Sequence, residues 1–176
     1  MAKPDNDRAG TGTPSALVSF IATGGGSGNL PVAPGTWGSL VALPCAAGLH
    51  ILGGPWLLAL AILLAFVAGV WASGRYADAI GRSDPGSVVI DEFAGQWLAI
   101  LPVALDWRYY IVAFVLFRFT DITKPWPCRM AERAPGGLGI MLDDIVAGVY
   151  AGILTLLIAV WLGLEHNLPS LPALFG

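Results

Sequence analysis

Apolar and polar positions in this chain fall into long separate blocks. Residues 9–74 contain no Asp, Glu, Lys or Arg, and neither do residues 145–164. Blocks this long and this bare predict membrane helices more readily than the striped helices of a soluble core. Ala16–Ala22 is an apolar patch too short to span. A Gly/Pro-rich stretch follows, Gly24 to Gly28 and then Pro31 to Gly35. Ser39–Leu52 predicts the first membrane helix, with Ser39 set to cap it. Its 14 residues cover about 21 Å and Pro44 interrupts it, so both a short span and a re-entrant helix fit. Gly53-Gly54-Pro55 predicts a tight turn. Trp56–Ser73 predicts a full span, and Ala65, Gly69 and Ser73 form a small-residue stripe suited to close helix packing. Ser87 is set to cap a helix from Val88 to about Leu105. Asp106-Trp107-Arg108 reads as a polar turn. Tyr109–Phe119 reads as a helix that runs on through Arg118 and Asp121. Ile145–Leu164 predicts the last span, with Gly148 and Gly152 as a second small-residue stripe.

The expected fold is all-α: a polytopic integral-membrane helical bundle of about four to five membrane-embedded helices, with a polar site facing the cytoplasm. Residues 1–14 read as a disordered tail without a signal-peptide pattern. Residues 15–165 read as one domain and residues 166–176 as a second tail. The composition agrees with this layout. Apolar residues make up 56% of the 176 residues and charged residues only 12%, about half the usual share. A net charge of −3 offers no basic surface for nucleic acid. The two charged stretches, Arg75–Glu92 and Arg118–Asp144, are joined by a predicted helical hairpin and therefore share a side. If residues 39–73 also form a hairpin, eight of the nine Lys and Arg fall on that side and only Arg108 lies opposite. The excess of cations makes that side cytoplasmic.

Those two stretches span 45 residues and hold 14 of the 21 charges. Asp91 and Glu92 sit at the start of one predicted helix, where carboxylates are favoured by the helix dipole. Capping alone does not account for a second acidic pair, Asp143 and Asp144, at the start of another. Four carboxylates that converge repel one another unless a cation lies among them, and an all-oxygen set suits Mg²⁺. Asp121 shares a helix face with Arg118 and Lys124, either as a surface ion pair or as part of the site. Asp84 precedes Pro85-Gly86 and reads equally well as a turn residue. Arg118, Lys124 and Arg129 lie beside the acids. Carboxylates with a metal and nearby cations form a phosphate-handling arrangement. The Gly35-to-Ser39 segment, including Thr36 and Ser39, reads either as an anion-binding helix N-terminus or as a connector. His50 and His166 lie at the opposite end, which argues against a histidine nucleophile. Cys128-Arg129 lacks the loop that activates a phosphatase cysteine.

Four blocks in order carry a resemblance. They are Pro31 to Ser39 (PVAPGTWGS), Asp91 to Gln96 (DEFAGQ), Arg118 to Pro127 (RFTDITKPWP) and Gly137 to Gly148 (GLGIMLDDIVAG). Over about Phe20–Trp161 the chain resembles the bacterial phosphatidylglycerophosphatase A family. The resemblance implies Mg²⁺-dependent hydrolysis of phosphatidylglycerophosphate to phosphatidylglycerol and phosphate at the bacterial inner membrane, with the lipid bilayer as the protein's surroundings. It supports Asp91, Glu92, Asp121, Asp143 and Asp144 as site acids and Arg118 and Lys124 as site cations. The combined reading assigns Asp91, Glu92, Asp143 and Asp144 to metal. It assigns catalysis to Asp91, Asp121, Asp143, Arg118 and Lys124, and phosphate contacts to Arg118, Lys124, Arg129, Thr36 and Ser39. Two alternatives remain at this level: a phosphatase for another lipid phosphate, and a channel or transporter with an acidic cation site. Charges clustered at one interface, with the far half nearly bare, favour the enzyme.

Overall fold

The structure is a computed structural model that describes residues 12–162. The described residues are helical, with no strand among them. The helices are α1 (Ala16–Ala22), α2 (Pro34–Ile80), α3 (Ile90–Ile100), α4 (Trp107–Thr123), α5 (Cys128–Ala131) and α6 (Gly137–Trp161), with a 3₁₀ turn at Ser27–Asn29. The expected C-terminal tail, His166 and most of the N-terminal tail lie outside the described residues.

The predicted turn at Gly53-Gly54 divides α2 into two limbs. Gly53 and Gly54 leave helical geometry, and Gly54 takes a φ of 63° that suits glycine. The chain reverses there. A Cβ on Gly35 would touch Glu92, and one on Gly74 would lie 3.2 Å from Gly137 N, so both ends of α2 reach the same end of the molecule. A straight helix would hold those two glycines about 60 Å apart.

Several helix ends differ from the sequence expectation, each for a physical reason. α2 begins at Pro34, since proline loses no hydrogen bond in a first turn. Ser39 therefore lies inside the helix and donates to Gly35 O at 3.0 Å instead of capping. The second limb runs past Ser73 to Ile80 and stops at Gly81, φ 74°. Ser87 donates to the Tyr76 hydroxyl at 3.1 Å, and α3 starts two residues after its expected beginning, with Val89 at the N-cap. It ends at Ile100, two residues ahead of Pro102, which has no N–H to continue the helical bonding. Asp106 caps α4 by accepting from Arg108 N at 2.8 Å. α6 begins at Gly137, eight residues before the expected Ile145. The missing Cβ at Gly137 lets α6 lean on α2, where it would otherwise lie 2.0 Å from Val70 O. Asp143 and Asp144 are consequently well inside α6 and not at its start.

α2 and α6 are long and apolar enough to cross a membrane, and only 11% of the most apolar window of α2 is buried in the protein. On α4 the buried face is Tyr110, Ala113, Phe117 and Thr120, while Ile111, Val115, Phe119 and Ile122 point outward. Exposed apolar rows of this extent are foreign to a water-soluble monomer. Buried hydrogen bonds also join the helices: Trp97 Nε1 donates to Ala42 O at 2.8 Å and ties α3 to the first limb of α2. Trp97→Phe should lower stability by about 1 kcal/mol, read as a reduced thermal midpoint in detergent, without altering the acidic site.

Candidate active site

α3 is pinned at its start by Val89 N donating to Ala22 O at 2.9 Å. Asp91 and Glu92 occupy its first turn, and Asp91 Oδ1 accepts from Glu92 N at 3.0 Å. One turn further, α3 meets α6 backbone to backbone. A Cβ on Gly148 would lie 2.5 Å from Gly95 O, and one on Gly95 would lie 2.6 Å from Asp144 O. This contact brings Asp144 against the first turn of α3. One oxygen from each of Asp91, Glu92 and Asp144 falls within 4.8 Å of the others.

Asp143, adjacent in sequence, turns to a different partner. Its Oδ2 is 2.6 Å from Lys124 Nζ, which also lies 3.4 Å from Glu132 Oε2. Lys124 stands at the left-handed C-cap of α4, φ 44°. Burial alone would lower its pKa. The Asp143 carboxylate, aided by the charges of Glu132 and Asp144, outweighs that and raises it above the ordinary lysine value. Asp143 Oδ1 is buried and has no hydrogen-bond partner.

Arg118 closes the other flank. Its Nη1 lies 3.0 Å from Asp121 Oδ2 and 3.9 Å from Glu92 Oε1, and donates to Ser39 Oγ at 3.3 Å. Gly35 makes room for this arrangement, because a Cβ there would strike Glu92 Oε1 and approach Arg118 Nη2 to 3.3 Å. Glu92 Oε2 remains buried without a partner.

The acids open onto one cavity of about 570 Å³ between the end of α2, the start of α3, the end of α4 and α6. Asp91, Glu92, Asp121, Lys124, Asp143 and Asp144 line it, as does Asp84. The remaining sequence candidates lie off its wall. Arg118 stands behind Glu92 and Asp121. Ser39 is fully buried beneath Arg118. Thr36 is half-buried in the first turn of α2, and exposed Arg129 donates to Thr123 O at 3.5 Å. Cys128 is fully buried, and burial pushes its thiol pKa up, which disfavours a thiolate nucleophile. His50 sits near the Gly53-Gly54 turn, far from the cavity.

Three residues at the site escaped the sequence reading: Glu132 on Lys124, and Arg82 and Arg133 in the cavity wall. These three resemble ordinary surface charges in sequence. Gly35 lay in a segment read as an anion site or a connector, and its contact with Glu92 comes from the fold.

Three clustered carboxylates, one with an orphaned buried oxygen, are costly without a cation. An all-oxygen donor set of this kind suits a hard divalent ion, so the cluster is able to bind a metal. Residues 20–159 match the family model described as Phosphatidylglycerophosphatase A. The chain belongs to that family. Phosphatidylglycerophosphatase A of Escherichia coli K12 is 45% identical over 139 residues, covering 77% of this chain and 80% of its own. The Haemophilus influenzae protein of the same name is 37% identical over 147 residues, covering 82% and 90%. A protein of Bacteroides thetaiotaomicron provisionally named phosphatidylinositol-3-phosphatase is 43% identical over 148 residues, covering 80% and 92%. No solved structure matches. Membership of the phosphatidylglycerophosphatase A family makes the chain a phosphatase, a hydrolase of phosphoric monoesters.

Proposed function

We propose that this protein hydrolyses phosphatidylglycerophosphate to phosphatidylglycerol and inorganic phosphate, with Mg²⁺ held by Asp91, Glu92 and Asp144. The observation that carries the reading is the convergence of those three carboxylates on the wall of the cavity, beside the Asp143–Lys124 pair. When bound, the ion supplies Lewis-acid polarisation of the phosphoryl oxygens. Asp143 is the base. The Lys124 ammonium at Oδ2 favours its carboxylate form, and its free Oδ1 takes a proton from the attacking water. The water oxygen forms its bond to phosphorus as the bond from phosphorus to the glycerol oxygen breaks, and the leaving oxygen is protonated from solvent. Arg118 is a positioning residue that holds Glu92 and Asp121.

The membrane arrangement belongs to the same proposal. Both limbs of α2, with α3, α4 and α6, form a multi-pass bundle in the bacterial inner membrane. The cavity opens at the cytoplasmic face, and the exposed apolar rows of α4 and α6 meet lipid. The acyl chains then stay in the bilayer while the headgroup enters the cavity.

Purified protein in detergent should release phosphate from phosphatidylglycerophosphate with Mg²⁺ present and lose at least about 100-fold of that rate in EDTA. An undiminished rate in EDTA would overturn the metal assignment. The Bacteroides relative supports a second reading, a phosphatidylinositol monophosphate as substrate. Faster turnover of that lipid in the same assay would replace the first reading.

A further inference from the structure

We propose that Arg82 and Arg133 form a second anion subsite in the cavity, which holds the phosphodiester of the lipid while the terminal phosphomonoester reaches the acids. This rests on the function proposed above and names how the substrate is recognised.

The two arginines come from different segments and meet the same cavity. Arg82 follows the end of α2, where its N–H donates to Ala77 O at 3.1 Å. Arg133 follows α5, where its N–H donates to Met130 O at 3.1 Å. Both side chains are exposed. Neither guanidinium has an ion pair or hydrogen bond among the described residues. Lys124, the other cation in the wall, is taken by Asp143 and Glu132. The free positive charge of the cavity is therefore concentrated in these two arginines, in a wall otherwise rich in carboxylates. An anionic lipid entering such a wall needs cations to offset repulsion, and arginine suits the paired oxygens of a phosphate.

The chemistry of the headgroup supplies a matching anion. Phosphatidylglycerophosphate carries a phosphodiester and a phosphomonoester separated by glycerol, and a phosphatidylinositol monophosphate carries the same two groups separated by inositol. A subsite for the diester would serve either lipid and would distinguish both from phosphatidic acid, which carries a monoester alone. The competing source of the same anion is neighbouring bilayer lipid, and the test removes it.

The double variant Arg82→Ala/Arg133→Ala should be assayed in uncharged detergent micelles free of other anionic lipid. KM for phosphatidylglycerophosphate should rise about tenfold to a hundredfold, with kcat within about twofold of wild type. Inhibition by short-chain phosphatidylglycerol, which has the diester and no monoester, should weaken by the same factor. KM for phosphatidic acid should not move, and the Arg→Lys pair should recover part of the lost affinity. Unchanged inhibition by phosphatidylglycerol would overturn the proposal. So would an equal loss toward phosphatidic acid, or an effect that arises only when anionic lipid is added back. A wild-type protein that releases no phosphate from phosphatidylglycerophosphate would overturn the functional reading instead, and the subsite with it.

Discussion

Asp144→Asn should lower phosphate release from phosphatidylglycerophosphate by about 10³-fold or more, with the protein still folded in detergent. Asp144 is 3% exposed and shares a cluster with Asp91 and Glu92 whose oxygens fall within 4.8 Å. The amide keeps the size of the side chain and removes its charge. It relieves repulsion in the cation-free cluster, so the variant should be at least as stable as wild type when metal is absent. The same change removes one anionic ligand, so Mg²⁺ should no longer raise its thermal midpoint as it does for wild type. Activity and metal-induced stabilisation must fall together. Asp106→Asn is the control, because Asp106 caps α4 and pairs with Arg108 away from the cavity. An Asp144→Asn protein that retains wild-type turnover, or one still stabilised fully by Mg²⁺, would remove Asp144 from the metal set.

The helical layout was largely legible in the sequence because charge-free blocks and glycine punctuation are local signals. Gly53-Gly54 predicted the reversal that Gly35 and Gly74, both near the acids, require. Helix ends were less legible where tertiary contacts set them. The start of α6 depends on the close approach of Gly137 to Val70, which no local pattern announces. That shift changes the character of the site, since Asp143 and Asp144 come from the body of α6 and owe nothing to a helix N-terminus. The acids could be named from sequence because four pair up in charge-poor surroundings. Their surroundings could not, because these depend on which neighbour each carboxylate meets: Lys124 for Asp143, and Asp91 with Glu92 for Asp144. Arg118 shows the same limit. Its pairing with Asp121 shows in the spacing, whereas its reach to Glu92 and Ser39 depends on the fold.

A single methyl group at Gly148 should test whether the α3–α6 contact assembles the site. A Cβ there would lie 2.5 Å from Gly95 O and 3.0 Å from Gly95 Cα. Both are backbone atoms, so no side chain can swing aside, and the helices must separate or tilt. Gly148→Ala should cost about 1–3 kcal/mol, read as a lower thermal midpoint. Activity should fall by a larger factor than stability explains, because Asp144 rides on α6 while Asp91 and Glu92 ride on α3. Gly48 provides the contrast. It lies in the first limb of α2 with nothing within 4 Å of a built Cβ. Gly48→Ala should therefore gain a few tenths to about 1 kcal/mol from helix propensity and leave activity unchanged. Gly152→Ala should fall between the two, since its Cβ would approach Leu98 O only to 3.1 Å. The order Gly148, Gly152, Gly48 follows from backbone clearance alone. A Gly148→Ala protein as stable and as active as wild type would show that the carboxylates do not depend on that contact for their convergence.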